Sequence, residues 1–298
     1  MSSRRKILFA VAGFYVISLF GILLIFGFTR RDNDEFQPQN EFKLDTWVNL
    51  PGPFDINKAV MYLVIAGILT CVTMIWIAGR MQARPNRVQT AVEVLFSLMR
   101  DNITRGNLDD RMAKKYFPFI GALFLFIWFS NLIGYIPLPT NTHEKVEIAG
   151  IELPAFAIYA ATANLSVPLV LALIVFVTYN VEGIRVKGLG GYLKSLIPAG
   201  VTGGMAVFIF ILEFLSNFMR LISLSVRLFA NILAGHLIIL FMSGGLAVLL
   251  GTAAIGWLTL PIGVALFLFE VGLVATLQAF IFATLSAIYL GGAVAEHH

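Results

Sequence analysis

From Val201 to Val294 the sequence is a long apolar run whose only ionisable residues are Glu213, Arg220, Arg227, His236, Glu270 and Tyr289. A glycine-rich stretch at 244–256 predicts one break, which divides the run into helices at about 202–245 and 256–292. At about 1.5 Å per residue, each helix would be about 55–65 Å long, roughly twice the thickness of a bilayer's hydrocarbon core. Four short spans would need a polar turn in the middle of each helix, and neither middle contains a turn signal. We therefore expect two long helices that lie tilted in the membrane.

The composition of the whole chain supports a membrane protein. Of its 298 residues, 58% are hydrophobic and only 13% are charged, whereas a soluble domain has about 25% charged residues. The apolar runs are long and do not alternate with polar residues, so they predict spanning helices rather than the strands of a barrel. The predicted fold class is an all-α, polytopic membrane protein.

Composition also argues against several classes of function. The basic residues lie between apolar runs without interleaved aromatic residues, which is not typical of a nucleic-acid-binding protein. The single cysteine, Cys71, excludes an internal disulfide and a cysteine-rich metal site. The four histidines lack the spacing of metal ligands, and no nucleophile–base set suggests an enzyme. We predict no catalytic residue, no cofactor and no metal site.

The N-terminal run at 7–28 follows three basic residues and is long enough to cross a membrane. It is either a retained anchor or a cleaved signal peptide, and its length and the lack of a clear small-residue cleavage site favour the anchor. We assign residues 1–58 to this extra segment with an external loop, and residues 59–298 to the main membrane domain. Further spans are predicted at 59–79, 117–137 and 156–179.

Lysine and arginine predict the orientation of the chain. The N-terminal tip and the loops at 80–116 and 181–198 hold most of the 21 basic residues, so we place them and the C-terminus in the cytoplasm. Between Val88 and Met99, apolar residues recur at close to helical spacing. This pattern predicts an amphipathic helix at the membrane surface, with a soluble linker helix as the alternative.

Polar residues form one stripe along the helix predicted at 202–245, because at about 100° per residue their spacings return to the same face. This stripe, the polar seam, consists of Glu213, Ser216, Arg220, Ser223, Arg227 and Asn231, with Asn217 beside it. His236 follows Arg227 by nine residues, which places it about 180° away. The helix therefore has an arginine inside a polar seam and a single histidine on its opposite side.

Arg227 needs a physical reason, because an arginine at the centre of a bilayer costs about 2.5–3.5 kcal/mol on insertion scales. One interpretation is an internal ion pair with a packing role, in which Glu270 reaches Arg227 from the neighbouring helix. The other is a proton site whose acidic partner lies on another polypeptide. The serines and the asparagine of the polar seam favour the second interpretation, since they are typical of a water-accessible path.

The segments "SLSVRLFANILAGHLI" and "ATLQAFIFATLSAIYL" strongly resemble the a subunit of the F-type ATP synthase, the stator half of its membrane proton channel. "NLIGYIPLP", "ATANLSVPLVLAL" and "GGYLKSLIP" resemble the middle segments of that family, and the resemblance covers roughly residues 55–292. It implies two long, tilted helices that pack against a ring of c subunits, each of which carries one carboxylate per hairpin. The run at 7–28 is additional to the family's common pattern.

The resemblance also implies roles for individual residues. The residues predicted to take part in proton translocation are Arg227, Asn231, His236, Glu270, Gln278, Glu213 and Ser223. Arg227 matches the essential arginine, and Gln278 matches the glutamine that faces it from the last helix. Glu270 lies one residue before the position, here Val271, where the family places an ionisable group. One residue rotates a side chain by about 100°, so the match at Glu270 is less direct.

From this resemblance we expect a non-catalytic membrane subunit of the H⁺-transporting two-sector ATPase, with two half-channels separated by Arg227. The outer half-channel would use His236, Asn231, Glu270 and Gln278, and the inner one Glu213, Ser216 and Ser223. The implied partners are the c-subunit ring, the b subunits of the peripheral stalk, the remaining ATP synthase subunits and the lipid of a bacterial plasma (inner) membrane. The alternative is a stand-alone secondary transporter or ion channel, although no inverted repeat is visible.

Overall fold

The computed structural model describes residues 3–26, 44, 46–48, 56–80, 86–148, 151–198, 200–250 and 253–295. In these ranges the α-helices are α1 (Ser3–Phe26), α2 (Lys58–Arg80), α3 (Arg87–Ser97), α4 (Asp110–Ile133), α5 (Ser166–Ser195), α6 (Gly204–Leu240), α7 (Leu246–Leu250), α8 (Ala253–Phe269) and α9 (Ala275–Val294). π-Helical segments occur at Leu98–Arg105, Phe241–Gly245 and Glu270–Val274, and a 3₁₀ turn at Ala161–Ala163. Two antiparallel strand pairs lie in connections: β1 (Thr46–Val48) with β2 (Ile56–Asn57), and β3 (Leu138–Ile148) with β4 (Ile151–Ala157).

The prediction of an all-α, polytopic membrane protein is confirmed. Five helical stretches of the described residues are long and apolar enough to cross a membrane: Lys58–Ile77, Asp110–Ile133, Ser166–Ser195, Gly204–Val248 and Ile255–Val294. The last two contain 45 and 40 residues, so the apolar C-terminal region forms two long helical stretches rather than four short spans. Each of them contains a π-helical segment, which holds one more residue in a turn than an α-helix does.

The fourth predicted span was wrong in its position. We expected it at 156–179 with a loop at 181–198, but α5 runs from Ser166 to Ser195, and Ile151–Ala157 forms β4 instead. Pro168 lies in the first turn of α5, where its missing N–H removes no intrahelical hydrogen bond. Gly188 interrupts α5 within this range, because its φ of 74° lies in the left-handed region that glycine adopts readily.

The chain packs as two compact units. Unit 1 comprises Met1–Lys43 and Ala234–Gly272, and unit 2 comprises Leu44–Leu233 and Leu273–His298. In unit 1, α1 packs against α8, and α8 packs against the π-helical segment Phe241–Gly245. The division into residues 1–58 and 59–298, which came from the family resemblance, stays a prediction.

A stripe of small residues allows close packing in unit 2. Along α9, every fourth residue is small: Ala275, Ala279, Ala283, Ala287 and Gly291, of which the four alanines are fully buried. Small side chains let neighbouring helix backbones approach each other in a membrane protein. α4 and α5 both pack against α9. A Cβ atom at Gly291 would lie only 2.6 Å from the carbonyl oxygen of Asn107.

The amphipathic helix predicted in the basic segment is present as α3. Its N-cap is Asn86, whose side-chain oxygen accepts a 2.8 Å hydrogen bond from the backbone N–H of Gln89. The π-helical segment that follows buries Met99 and Ile103 completely in the core of unit 2, where it packs against α4 and α9. The apolar face of this region therefore packs, at least in part, against protein.

Candidate functional site

The polar seam of α6 lies at the edge of the buried face of that helix. Leu224, Leu228 and Ile232 are buried in the core of unit 2 together with residues of α4, α5 and α9. The seam residues Ser223, Arg227 and Asn231 each precede one of them by a single residue. Ser223 and Asn231 are exposed, and Arg227 is half-buried. The burial pattern thus leaves the polar seam uncovered beside a firmly packed helix face.

No residue that the structure describes forms an ion pair or a hydrogen bond with the guanidinium group of Arg227. Gln278 is buried on α9. No hydrogen bond joins Gln278 to Arg227 within the described part of the chain.

A cavity of about 1010 Å³ opens beside the first half of α6. Its polar seam residues are Glu213 and Arg220, and Asn217 lies between them on the cavity wall. The rest of the wall comes from α5, the residues just after it, and the end of α9. Arg220 lies over the ring of Tyr289, with 5.4 Å between the guanidinium carbon and the ring centroid. This geometry is typical of a cation–π contact.

A chain of hydrogen bonds fixes the wall of this cavity. Tyr179 donates its hydroxyl to the side-chain oxygen of Asn217 at 2.5 Å, and Asn217 donates its amide to Asn180 at 3.0 Å. Tyr192 donates to the same oxygen of Asn180 at 2.8 Å. The sequence analysis noted Asn217 but missed the three partners on α5, since no periodic pattern distinguishes them from other residues of an apolar helix.

Unit 1 brings Glu270 against α6. A Cβ atom at Gly235 would overlap the carbon and both oxygens of the Glu270 carboxyl group. The carboxyl group therefore occupies the space that any side chain at position 235 would fill. His236, the next residue, is 4% exposed. Sequence reasoning selected His236 and Glu270 but missed Gly235, because a glycine beside a histidine is not a signal by itself.

Glu270 is also the first residue of a π-helical segment, Glu270–Val274. A π-helical turn contains one more residue than an α-helical turn and is frequent at functional sites. Compared with the family pattern, the sequence has one additional residue between Glu270 and Gln278. The π-helical segment, with its one additional residue, thus lies in the same part of the chain in which the sequence has one residue more than the family pattern.

Within the described ranges, no group of three or more His, Cys, Asp or Glu side chains is placed to hold a metal ion. In the two long apolar stretches the ionisable side chains are spread singly along the sequence. Comparison of the sequence with known protein families identifies the family of this chain. The family described as "ATP synthase A chain" matches residues 60–291. The chain belongs to this family.

Several ATP synthase a subunits are similar to it over most of its length. The protein "ATP synthase subunit a" of Myxococcus xanthus is 37% identical over 211 residues, which cover 70% of this chain and 61% of the relative. The protein of that name from Bradyrhizobium diazoefficiens is 35% identical, with coverage of 81% and 89%. That of Pelagibacter ubique is 33% identical, with coverage of 88% and 98%. The chain thus spans about three fifths of the Myxococcus relative and nearly all of the Pelagibacter one.

Proposed function

We propose that this chain is the proton-translocating stator subunit of an F-type ATP synthase. In this proposal, Arg227 removes the proton from each carboxylate of a neighbouring c-subunit ring, and two half-channels deliver and remove protons on either side of Arg227. The subunit performs no catalysis itself. Its partners are the c ring, the b subunits of the peripheral stalk and the remaining ATP synthase subunits, in a bacterial plasma membrane with the C-terminus in the cytoplasm.

The observation that carries this proposal is the guanidinium group of Arg227, which lies in an apolar helix without an ion-pair or hydrogen-bond partner among the described residues. A buried charge is normally paired, because the desolvation of an unpaired one is costly. Ser223 and Asn231 on either side of it are exposed as well, and exposed polar side chains are unfavourable against lipid. An acidic side chain of a partner subunit would supply the negative charge that Arg227 lacks.

The chemistry follows from the charge of Arg227. A carboxyl group in hydrocarbon stays protonated, because the ionised form is poorly solvated there. Next to a fixed positive charge the ionised form becomes favourable, and the proton leaves. Arginine suits this role because it remains protonated and cannot pass a proton on. Arg227 thus drives deprotonation and prevents a direct leak. Each proton that crosses releases about 2.3 kcal/mol per 100 mV, which the ring converts into rotation.

We assign the inner half-channel to the cavity beside α6. Glu213 and Arg220 line it, and Ser216 and Ser223 continue the polar seam towards Arg227. The cavity is large enough for water, and its wall is held by the hydrogen bonds of Asn217. Glu213 would accept or release protons in this water.

We assign proton entry from the outer side to Glu270 and His236. The carboxyl group of Glu270 packs against Gly235, directly before His236 in sequence, and histidine exchanges protons near neutral pH. The π-helical segment at Glu270 compensates the one-residue departure from the family pattern, since it adds one residue to the helix. Asn231 and Gln278 would weaken the attraction between Arg227 and the ring carboxylate, because each could form a hydrogen bond with the guanidinium group or with the carboxylate.

The test is Arg227→Ala in the complete ATP synthase, measured as proton-driven ATP synthesis in membrane vesicles. We expect synthesis to be abolished while the subunit still co-purifies with the c ring. Arg185→Gln is the matched control, because it removes an arginine whose side chain is 70% exposed and lies outside α6, and it should keep normal synthesis. Normal synthesis in Arg227→Ala would refute the proposal, as would proton transport by the purified chain without any ring of partner subunits.

A further inference from the structure

The additional N-terminal helix α1 has one buried face. Its half-buried residues include Tyr15, Ser18, Leu19 and Ile22, whose spacing of three, four and seven residues defines one side of a helix. Large apolar residues at other positions of α1 are exposed: Phe14 is 69% exposed, Ile17 72% and Phe20 61%. α1 packs against α8, and both helices belong to unit 1. This one-sided burial is typical of a docked helix.

α8 contains a defect that the contact with α1 repairs. Pro261 lies inside α8 and has no N–H group. In a regular α-helix the N–H of residue 261 would donate to the carbonyl oxygen of Trp257, four residues earlier. That carbonyl oxygen instead accepts a hydrogen bond from the hydroxyl group of Tyr15. In hydrocarbon no water can replace the missing donor, and neighbouring helices commonly supply it at prolines.

Two further contacts fix the same pair of helices. The indole N–H of Trp257 donates to the hydroxyl oxygen of Ser18 at 3.0 Å, and this hydroxyl donates to the backbone oxygen of Tyr15 at 2.9 Å. The rings of Tyr15 and Trp257 stack with centroids 5.8 Å apart and planes inclined by 16°. The Tyr15 hydroxyl, the Trp257 carbonyl oxygen and the Trp257 indole N–H thus all form hydrogen bonds between the two helices.

We propose that α1 remains in the mature subunit as an obligate partner of α8, in which the Tyr15 hydroxyl replaces the amide hydrogen that Pro261 lacks. Apolar faces alone give little driving force for helix association in lipid, because lipid tails are equally apolar. Interhelical hydrogen bonds and ring stacking do give one. A signal peptide that is cleaved needs no specific contact with another helix. The half-buried face of α1, in contrast, forms both interhelical hydrogen bonds and a ring stack with α8. The proposal does not depend on the proton-translocating role.

The experiment is a double-mutant cycle with Tyr15→Phe and Pro261→Ala in the assembled complex. Tyr15→Phe keeps the ring but removes the donor, so we expect the subunit to be lost from heated, detergent-solubilised complex about tenfold faster. Pro261→Ala restores the N–H, so Tyr15→Phe should have little effect in the Pro261→Ala background. The control is Ile17→Ala on the exposed face of α1, which should behave like the unmodified protein.

The intact mass of the subunit from purified complex provides the second measurement. We expect a mass that includes Tyr15 and Ser18. A mature chain that begins after Phe26 would overturn the proposal. It would also be overturned if Tyr15→Phe were as stable as the unmodified subunit, or if Pro261→Ala failed to relieve the effect of Tyr15→Phe. A Tyr15→Phe variant that does not accumulate still tests the idea, since the double variant should then accumulate.

Discussion

The carboxyl group of Glu270 packs directly against the backbone of Gly235 on α6. This relationship fixes the position of an acid that the sequence alone left in doubt. It depends on the absence of a side chain at position 235, and it places the acid beside the residue that precedes His236.

Gly235→Ala should therefore displace Glu270 and slow proton uptake from the outer side. The added methyl group would overlap the carbon and both oxygens of the carboxyl group, and overpacking of this kind forces a side chain or the backbone to move. Gly272→Ala is the control, because a Cβ atom there has no neighbour within 4 Å. The measurement is proton pumping by inverted vesicles. Glu270→Asp, which shortens the acid, should partly restore pumping in Gly235→Ala, and pumping unaffected by Gly235→Ala would contradict the role of Glu270.

Asn217→Ala should destabilise the subunit by about 1–3 kcal/mol, because the buried hydroxyl of Tyr179 loses its 2.5 Å side-chain acceptor and keeps only the 3.5 Å contact with the backbone oxygen of residue 217. The measurement is thermal unfolding of the purified, detergent-solubilised complex. Ser216→Ala, at the exposed neighbouring position, should change the free energy of unfolding by less than about 0.5 kcal/mol. Equal stability of the two variants would show that the hydrogen-bond chain does not support the cavity wall.

Gly291→Ala should destabilise unit 2, since its Cβ atom would lie 2.6 Å from the Asn107 carbonyl oxygen. The contact is with backbone, so relief requires α9 to move, and the expected cost is about 1–3 kcal/mol. Gly292→Ala provides a matched control at the adjacent residue, where a Cβ atom has no neighbour within 4 Å. Thermal unfolding of both variants checks the prediction, and a loss confined to Gly292→Ala would contradict it.

Tyr159→Phe should leave stability at neutral pH unchanged or slightly higher, because the buried Tyr159 hydroxyl has no hydrogen-bond partner in the part of the chain that the structure describes. Burial raises the pKa of Tyr159 to about 12, above the usual value of about 10. The stability that depends on its neutral form is therefore complete below about pH 10 and lost as the pH rises towards 12. Tyr159→Phe should lose less stability than the unmodified protein on going from neutral pH to about pH 11.

Tyr62→Phe is the contrasting variant. Tyr62 is also fully buried, but its hydroxyl lies 3.5 Å from the carbonyl oxygen of Ile136, to which it donates. Its removal should lower stability already at neutral pH. If both variants behaved alike at neutral pH and at alkaline pH, the assigned difference between the two hydroxyls would be wrong.

The predictions from sequence succeeded where one physical rule dominates. Long apolar runs can cross a membrane only as helices, so the spans of α2 and α4 and the two long C-terminal stretches followed from the order of residues. The run predicted to span at 7–28 is not among the five stretches long and apolar enough to cross a membrane within the described residues. The start of α5 was placed wrongly because an apolar run does not reveal which part of it pairs as a strand. The polar seam followed from helical periodicity, and Arg227, the most informative residue within it, stood out because arginine is costly in hydrocarbon.

The sequence by itself determined the membrane-spanning helices, the polar seam and the family to which the chain belongs, because these depend on hydropathy, on helical period and on short motifs. Only the tertiary structure decided which groups satisfy one another. It joined Tyr15 to the carbonyl oxygen freed by Pro261, and Glu270 to the space at Gly235. It gave the guanidinium group of Arg227 no partner within the described ranges. Such pairings join residues far apart in the chain, and in a medium without water each polar group depends on whichever helix lies beside it.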